Sequence, residues 1–371
     1  MSIEMAVVGA GYWGPNLIRN IMATPECDLL WVCDLDEDQA KNVLGRYSTV
    51  GVTSSLDAVL NDPRVRAVAV ATPASTHFDI GSKVLNSGRH LLVEKPIAAT
   101  AAEAEALVAL ADRLGLTIMC DHTYCYTPAV HKIRELVESG ELGDIQYVDS
   151  VRVNLGLVQR DVNVIWDLAP HDLSIFDAIL PPELRPTQIS AFGSDPVGAG
   201  QDCLAYLSLP LGNGGIAHAH VNWLSPVKIR TMVVGGSRCM VVWDDLSTTQ
   251  KISIYDRGVE RIPDLVGEQR ARAIVSYRTG EMVAPALREG EALRAVIAEF
   301  ARSITQGTPP LTDGLSGLRV IRLLEAASRS LASGGALVDA YQPQLTAAKS
   351  GSSDPDRQLA LATTPGLGGT P

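Results

Sequence analysis

The sequence predicts two architectures in series: an α/β half built on a doubly wound parallel sheet, then an α+β half built on a large, mostly antiparallel open sheet. Three observations carry this. Short apolar runs alternate with helical segments as far as residue 121, whereas from about Ile145 strand-like runs follow one another with one helical interruption. The chain has 371 residues, enough for two domains at roughly 100–200 residues each. Hydrophobic residues make up 46% of it and charged residues 20%, a balance that fills cores and excludes wholesale disorder. Acidic side chains outnumber basic ones by 42 to 31, so no global field draws the protein to nucleic acid or to an anionic membrane. An anionic ligand must therefore be held by local groups.

The first apolar run, residues 3–8, leads into Gly9-Ala10-Gly11-Tyr12-Trp13-Gly14 and a helix from Pro15 to about Ala23. The next run, Leu29 to Cys33, ends at Asp34, twenty positions beyond Gly14. Strand, glycine-rich turn, helix, second strand and acidic residue together make the dinucleotide-binding arrangement of a Rossmann fold. Gly9 allows the tight turn, Gly11 lets backbone N–H groups approach a pyrophosphate, and Gly14 permits close helix–strand packing at a positively polarised helix N-terminus. Asp34 is placed to accept hydrogen bonds from a ribose diol. A 2′-phosphate would meet that carboxylate, and Leu35-Asp36 brings no arginine, so NAD is favoured over NADP.

A helix over residues 37–46, a strand ending at 68–71 and the turn Thr72-Pro73 come next, then His77, a helix over 78–87 and a fourth strand-like run ending in Glu94-Lys95-Pro96. A helix over 101–114 and a strand from Thr117 to Cys120 complete this half. An open parallel sheet binds its ligand beyond the carboxyl ends of its strands, which puts Thr72-Pro73 and Glu94-Lys95-Pro96 on the cofactor side.

In the second half the strand-like runs are 145–155, 187–193, 202–209, 215–223, 227–234, 238–244 and 250–256. Between the first two, residues 165, 169, 173, 176 and 180 line one face of a helix, with Asp167 and His171 on the opposite face at i,i+4. Pro170 is tolerated if that helix starts near 167, which assigns both polar side chains to its first turn. Two amphipathic helices, 289–306 and 315–333, follow. The expected division is residues 1–121 for the cofactor, 122–345 for substrate binding and oligomerisation, and a disordered tail over 346–371, where Ser, Gly, Pro and Thr dominate.

The six cysteines form no C-x-x-C pair and sit in apolar segments, so they read as reduced core residues. The first strand-like run begins at Ile3, leaving no room for a signal peptide, and no run of 18 apolar residues occurs, so the expected location is cytoplasmic. His218 and His220 alternate on one strand face without a third ligand nearby, and no metal is assigned.

The glycine motif, Thr72-Pro73, Glu94-Lys95-Pro96 and Asp167-x-x-x-His171, in that order, resemble the Gfo/Idh/MocA oxidoreductase family over roughly residues 1–340. Within it, DVNVIWDLAPHDLSIFDAIL and VNWLSPVKIRTMVVGG are similar to the branch linked to nucleotide sugars, commonly associated with oxidation at C3 of UDP-N-acetylglucosamine-type sugars. The resemblance implies hydride transfer between nicotinamide and a sugar carbinol or ketone carbon. Lys95 would contact the reacting hydroxyl and stabilise alkoxide charge, His171 would be the general acid/base with an ordinary pKa of about 6.5, and Asp167 would orient substrate or histidine. It also implies a cis peptide before Pro96, with Tyr12, Trp13, Thr72, Pro73, His77, Glu94, Lys95 and Pro96 bordering the cofactor.

Further substrate candidates are His122, Tyr126, Arg152, Asn154, Asn163, Trp166, Lys228 and Arg230, with core packing or a solvated strand face as the competing reading. A homodimer or homotetramer formed through the second sheet is the oligomer the resemblance implies. Two other functions stay open: a dehydrogenase of a free sugar, inositol or other cyclitol, and a non-catalytic NAD-binding regulator. Lys95, Asp167 and His171 argue against the latter, because a binding module needs no proton-transfer set.

Overall fold

Six apolar runs in the first half pair side by side and in parallel. They are β1 (Ile3–Val8), β2 (Cys27–Cys33), β3 (Gly51–Thr53), β4 (Ala67–Val70), β5 (His90–Glu94) and β6 (Ile118–Asp121), in the spatial order β3-β2-β1-β4-β5-β6. The order reverses between β1 and β4, which opens a crevice at their carboxyl ends. The structure, a computed structural model, describes residues 2–341 apart from 47, 157, 159–161, 262–274 and 279. The predicted tail over 346–371 lies outside the described residues.

Helices α1 (Gly14–Ala23), α2 (Glu37–Leu44), α3 (Leu56–Asn61), α4 (His77–Asn86) and α5 (Ala101–Leu114) connect these strands. The glycine turn is sterically obligatory. Gly9 has φ +100°, and a Cβ on Gly14 would sit 2.1 Å from the Gly9 carbonyl oxygen. The three-residue β3 and the short α3 escape the sequence reading because neither is long enough to show a period. Glu94-Lys95-Pro96 consequently follows the fifth strand and not the fourth.

After α6 (Pro128–Glu138), which the sequence reading lacks, come β7 (Ile145–Leu155) and α7 (Val164–Ile179). The strands β8 (Gln188–Ser194), β9 (Leu204–Pro210), β10 (Ile216–Asn222), β11 (Leu224–Gly236), β12 (Met240–Asp244) and β13 (Ile252–Tyr255) then run in succession. Short strands β14 (Gly258–Arg261) and β15 (Val275–Arg278) pair with each other. With β16 (Met282–Val283) and β17 (Val338–Asp339), the large sheet has nine strands in the order β16-β13-β12-β11-β7-β10-β9-β8-β17. Every described pairing in it is antiparallel except β7 with β10. Helix α8 (Ala292–Gln306) packs against α1, and one face of the sheet is covered by α7 and α9 (Gly314–Ala332). On β9 this buries Ala205, Leu207 and Leu209, while Tyr206 turns outward and stacks on His220 at 4.3 Å.

Helix α7 begins earlier than predicted. Asn163 caps it, its side chain accepting the Trp166 N–H at 3.2 Å, so Pro170 lies in the second turn and leaves the Trp166 carbonyl without its helical donor. At the other end of the chain, the segment before α9 returns to the first sheet. Cys120 N–H donates to Thr312 O at 2.9 Å, the Thr312 hydroxyl donates to Cys120 O at 2.7 Å, and Met119 bridges to Asp313. All six cysteines are buried and free.

Candidate active site

At the carboxyl end of β2, Asp34 organises the glycine turn. One carboxylate oxygen accepts the Ala10 N–H and the other the Asp36 N–H at 2.8 Å. Each oxygen keeps a further lone pair for a ribose hydroxyl. A Cβ on Gly11 would meet nothing within 4 Å, so this position faces open space beside the N-terminus of α1. Tyr12 and Leu35 flank the turn with 97% and 94% of their surface exposed, a cost in water that a flat apolar ligand would relieve. The residues present thus fit a dinucleotide: backbone donors for pyrophosphate, a carboxylate for the ribose and apolar walls. The surrounding Asp36, Glu37 and Asp38 oppose a 2′-phosphate.

The turn opens into a cleft of about 720 Å³ between the ends of β5 and β6 and the helix α7. Its lining includes Tyr12, Trp13, Thr72, Glu94, Lys95, Pro96, Trp166, Asp167, His171 and Arg230, all named from the sequence. It also includes Ala71, Asp121, Thr123, Tyr124 and Val162, which were not. The Lys95–Pro96 peptide is cis. Lys95 Nζ donates to the Asp167 carbonyl at 3.1 Å and lies 3.9 Å from Asp167 Oδ1. The turn that Pro170 loosens contains that carbonyl. Trp223 Nε1 donates to Asp167 Oδ2 at 2.9 Å. Asp167 therefore meets Lys95 and Trp223 rather than the histidine four residues on.

His171 packs edge-on against Tyr124, with ring centroids 4.9 Å apart, and its Nδ1 is buried without a partner. Burial, followed by the cationic Lys95 and Arg152, pushes its pKa well below the ordinary 6.5. The ring is neutral near pH 7, with one nitrogen lone pair open to a proton; the sequence alone suggested an unperturbed histidine. Tyr124 is the hub of this wall, with Arg152 over its ring at 4.4 Å and Arg230 Nη1 donating to its hydroxyl.

Several candidates land elsewhere. Arg152 is 3% exposed and locked on Asp172, Nε to Oδ2 at 2.9 Å and Nη2 to Oδ1 at 3.0 Å, so it braces the wall instead of reaching a ligand. The Tyr126 hydroxyl is tied to Thr312 in the core. His77 is buried, with ring nitrogens 2.8 Å from the carbonyls of Thr72 and Pro96, and joins two cleft loops from behind. His122 is fully buried behind the lining, with neither ring nitrogen partnered, and burial lowers its pKa to about 4. Asn163 is a helix cap. Asn154 lies outside the cleft lining, its amide close to Gly156, and Lys228 is exposed on β11. Pro73 precedes the short helical turn at Ala74–Thr76, behind Thr72. Among the described residues no group of three His, Cys, Asp or Glu could hold a metal, and no helix is long and apolar enough to cross a membrane.

A parallel sheet with a glycine cradle, and a lysine and a neutral histidine facing one cleft at its switch point, define an NAD-dependent oxidoreductase. Residues 3–122 match the family model described as "Oxidoreductase family, NAD-binding Rossmann fold", and residues 130–242 match the "GFO/IDH/MocA C-terminal domain". The chain belongs to the Gfo/Idh/MocA family. It is 27% identical over 320 residues to the UDP-N-acetylglucosamine 3-dehydrogenase of Acidithiobacillus ferrooxidans, covering 86% of this chain and 94% of that one. It is 21% identical over 345 residues to the inositol 2-dehydrogenase of Rhizobium meliloti, covering 90% and 98%. The crystal structure of GenD2 from gentamicin A biosynthesis in complex with NAD superposes with a TM-score of 0.73 at 26% identity, covering 91% of this chain and 96% of that one.

Proposed function

We propose that the protein is an NAD-dependent dehydrogenase or reductase of a sugar ring hydroxyl, most readily C3 of a nucleotide sugar such as UDP-N-acetylglucosamine or its uronate. One observation carries this reading. Lys95, on the loop after β5, and His171, on α7, face the same cleft at the end where the glycine turn cradles a dinucleotide. The similarity to the Acidithiobacillus enzyme over most of both chains supports the substrate class. Gly9, Gly11 and Gly14 would hold the pyrophosphate, Asp34 the adenosine ribose, and Trp13, Thr72, Glu94 and Pro96 would border the nicotinamide end. NAD, when bound, supplies the hydride acceptor or donor.

The residues do the rest. Lys95 keeps N–H groups beyond the one given to the Asp167 carbonyl, and these can bind the reacting hydroxyl oxygen and stabilise it as negative charge develops. His171 Nδ1 is closed off, so Nε2 is the nitrogen that takes the hydroxyl proton in oxidation and returns it in reduction. Asp167, held from behind by Trp223, fixes Lys95 between the two halves of the cleft. Arg230 and Trp166 supply a cation and an aromatic surface for the remainder of the substrate.

The test is nicotinamide absorbance on mixing purified protein and NAD with a panel of UDP- and TDP-sugars, free sugars and inositols. Turnover of a UDP-sugar with competitive inhibition by UDP is the expected result. Turnover of inositol with no effect of UDP would move the assignment to the cyclitol class of the Rhizobium relative. Undiminished turnover in a Lys95→Ala, His171→Ala double variant would end the proton-transfer assignment.

A further inference from the structure

The carboxyl groups that end β5 and β6 each have one oxygen engaged and one with nothing to accept. Glu94 and Asp121 are register partners in this parallel pair, so their side chains leave the sheet next to each other on the same face. Glu94 Oε2 accepts the Lys95 backbone N–H at 3.3 Å, and Asp121 Oδ1 accepts the Thr123 hydroxyl at 2.7 Å. Glu94 Oε1 and Asp121 Oδ2 are buried without a partner, and Asp121 is 2% exposed. The nearest cation, Lys95, directs its ammonium to Asp167 instead. Two ionised carboxylates so placed would repel each other and leave two buried acceptors unmet. One proton between them converts the repulsion into an O–H···O⁻ bond and satisfies both.

The geometry points to a Glu94–Asp121 pair that shares a single proton and, carrying one negative charge at the floor of the cleft, positions Lys95 and the nicotinamide end of the cofactor. The shared proton follows from this chain's own groups; the positioning rests on the nicotinamide placement of the preceding section. The surroundings favour the arrangement. Burial and then Asp121 push the Glu94 pKa well above its ordinary value, with Lys95 acting against them. Burial raises Asp121 too, against the hydrogen bond from Thr123 that favours its ionised form. Cys120 on β6 and Cys125 beyond it have their pKa raised by burial, so neither thiol adds charge. His122 is neutral, and from α7 the charge of Asp167 is met by Lys95 while His171 is neutral. The pair titrates as a unit, and its single charge favours a cationic nicotinamide over a neutral one.

Infrared difference spectroscopy of the protein without cofactor or substrate tests the proton, independently of which sugar is used. Near pH 7 a protonated-carboxyl band is expected that Glu94→Gln and Asp121→Asn each remove, because in each variant an amide takes the place of the protonated half and the remaining carboxylate stays ionised. Absence of any band that responds to both substitutions would overturn the shared proton. Should a variant fail to fold, carboxyl ¹³C NMR of the wild type decides: one Glu or Asp signal must titrate well above the ordinary range, and its absence overturns the pair. For positioning, each single amide variant keeps the charge and is expected to keep the ratio of NAD⁺ to NADH dissociation constants. The neutral Glu94→Gln, Asp121→Asn double variant should move it roughly tenfold against NAD⁺. An unmoved ratio would overturn the positioning role.

Discussion

Helix α7 carries carboxylates that are held in two ways. Asp172 and Asp177 are sealed. Asp172 takes a bidentate Arg152 and the Ser150 hydroxyl at 2.8 Å, and Asp177 takes a bidentate Arg319 and the Ser316 hydroxyl at 2.8 Å. Asp167, nearer the start of the helix, meets Lys95 at 3.9 Å and stays partly open to the cleft. A guanidinium fork matches both carboxylate oxygens and fixes their plane, which suits a joint between helix and sheet or between helices. A lysine is a point charge with three donors, and one held loosely still has donors for a substrate. Within one helix, rigid pairing marks the frame and loose pairing marks the chemistry.

The sharpest way to break this comparison is Lys95→Ala. Activity should fall about 10²–10⁴-fold, in the range expected when a group acting on the reacting hydroxyl is lost, while the denaturation midpoint stays near wild type. A loss of activity that merely tracked unfolding would place Lys95 in the frame. Asp172→Ala is the converse experiment. It strands the buried Arg152 charge and should cost about 3–5 kcal/mol in equilibrium denaturation, a cost that Asp167→Ala should not approach.

The smaller test concerns the buried histidines, His171 in the cleft wall and His122 behind it. His122 has its pKa lowered from 6.5 to about 4, and that of His171 is lowered as well. The unfolded chain takes up protons below about pH 6.5 and the native state does not until far lower, so stability is present above that pH and lost as pH falls towards 4. For His122 alone the loss reaches about 3 kcal/mol. Denaturant midpoints measured between about pH 7.5 and pH 4.5 should fall steadily, and His122→Asn should flatten the slope. An unchanged slope in that variant would assign the acid sensitivity to other groups.

Much of this was legible from the sequence because the signals are local. The glycine turn, Asp34 and the strand–helix alternation occupy contiguous residues whose spacing is set by backbone geometry, and β7 and α5 fall where their patterns end. What was missed depends on register or crossing. Asp121 falls just past the predicted strand Thr117 to Cys120 and carries no signal of its own; only the β5–β6 register sets it beside Glu94. Arg152 reads as a substrate contact or a solvent-facing strand charge, but β7 is central in its sheet and α7 covers that face with Asp172. The early start of α7 was hidden because Pro170 argued for a later one, while Asn163, an ordinary helix cap, set the true beginning.

The return of the chain to β6 has a consequence for anyone cutting or recombining this protein. β6 closes one side of the first sheet, and its outer edge is covered by residues 312 and 313, almost two hundred positions later. A fragment ending after β6 would expose an apolar edge strand with unpaired backbone groups, the usual template for intermolecular pairing. Grafting the nucleotide half onto another substrate half therefore means transplanting the strap before α9 and its helix along with it. The natural unit of exchange is discontinuous in sequence.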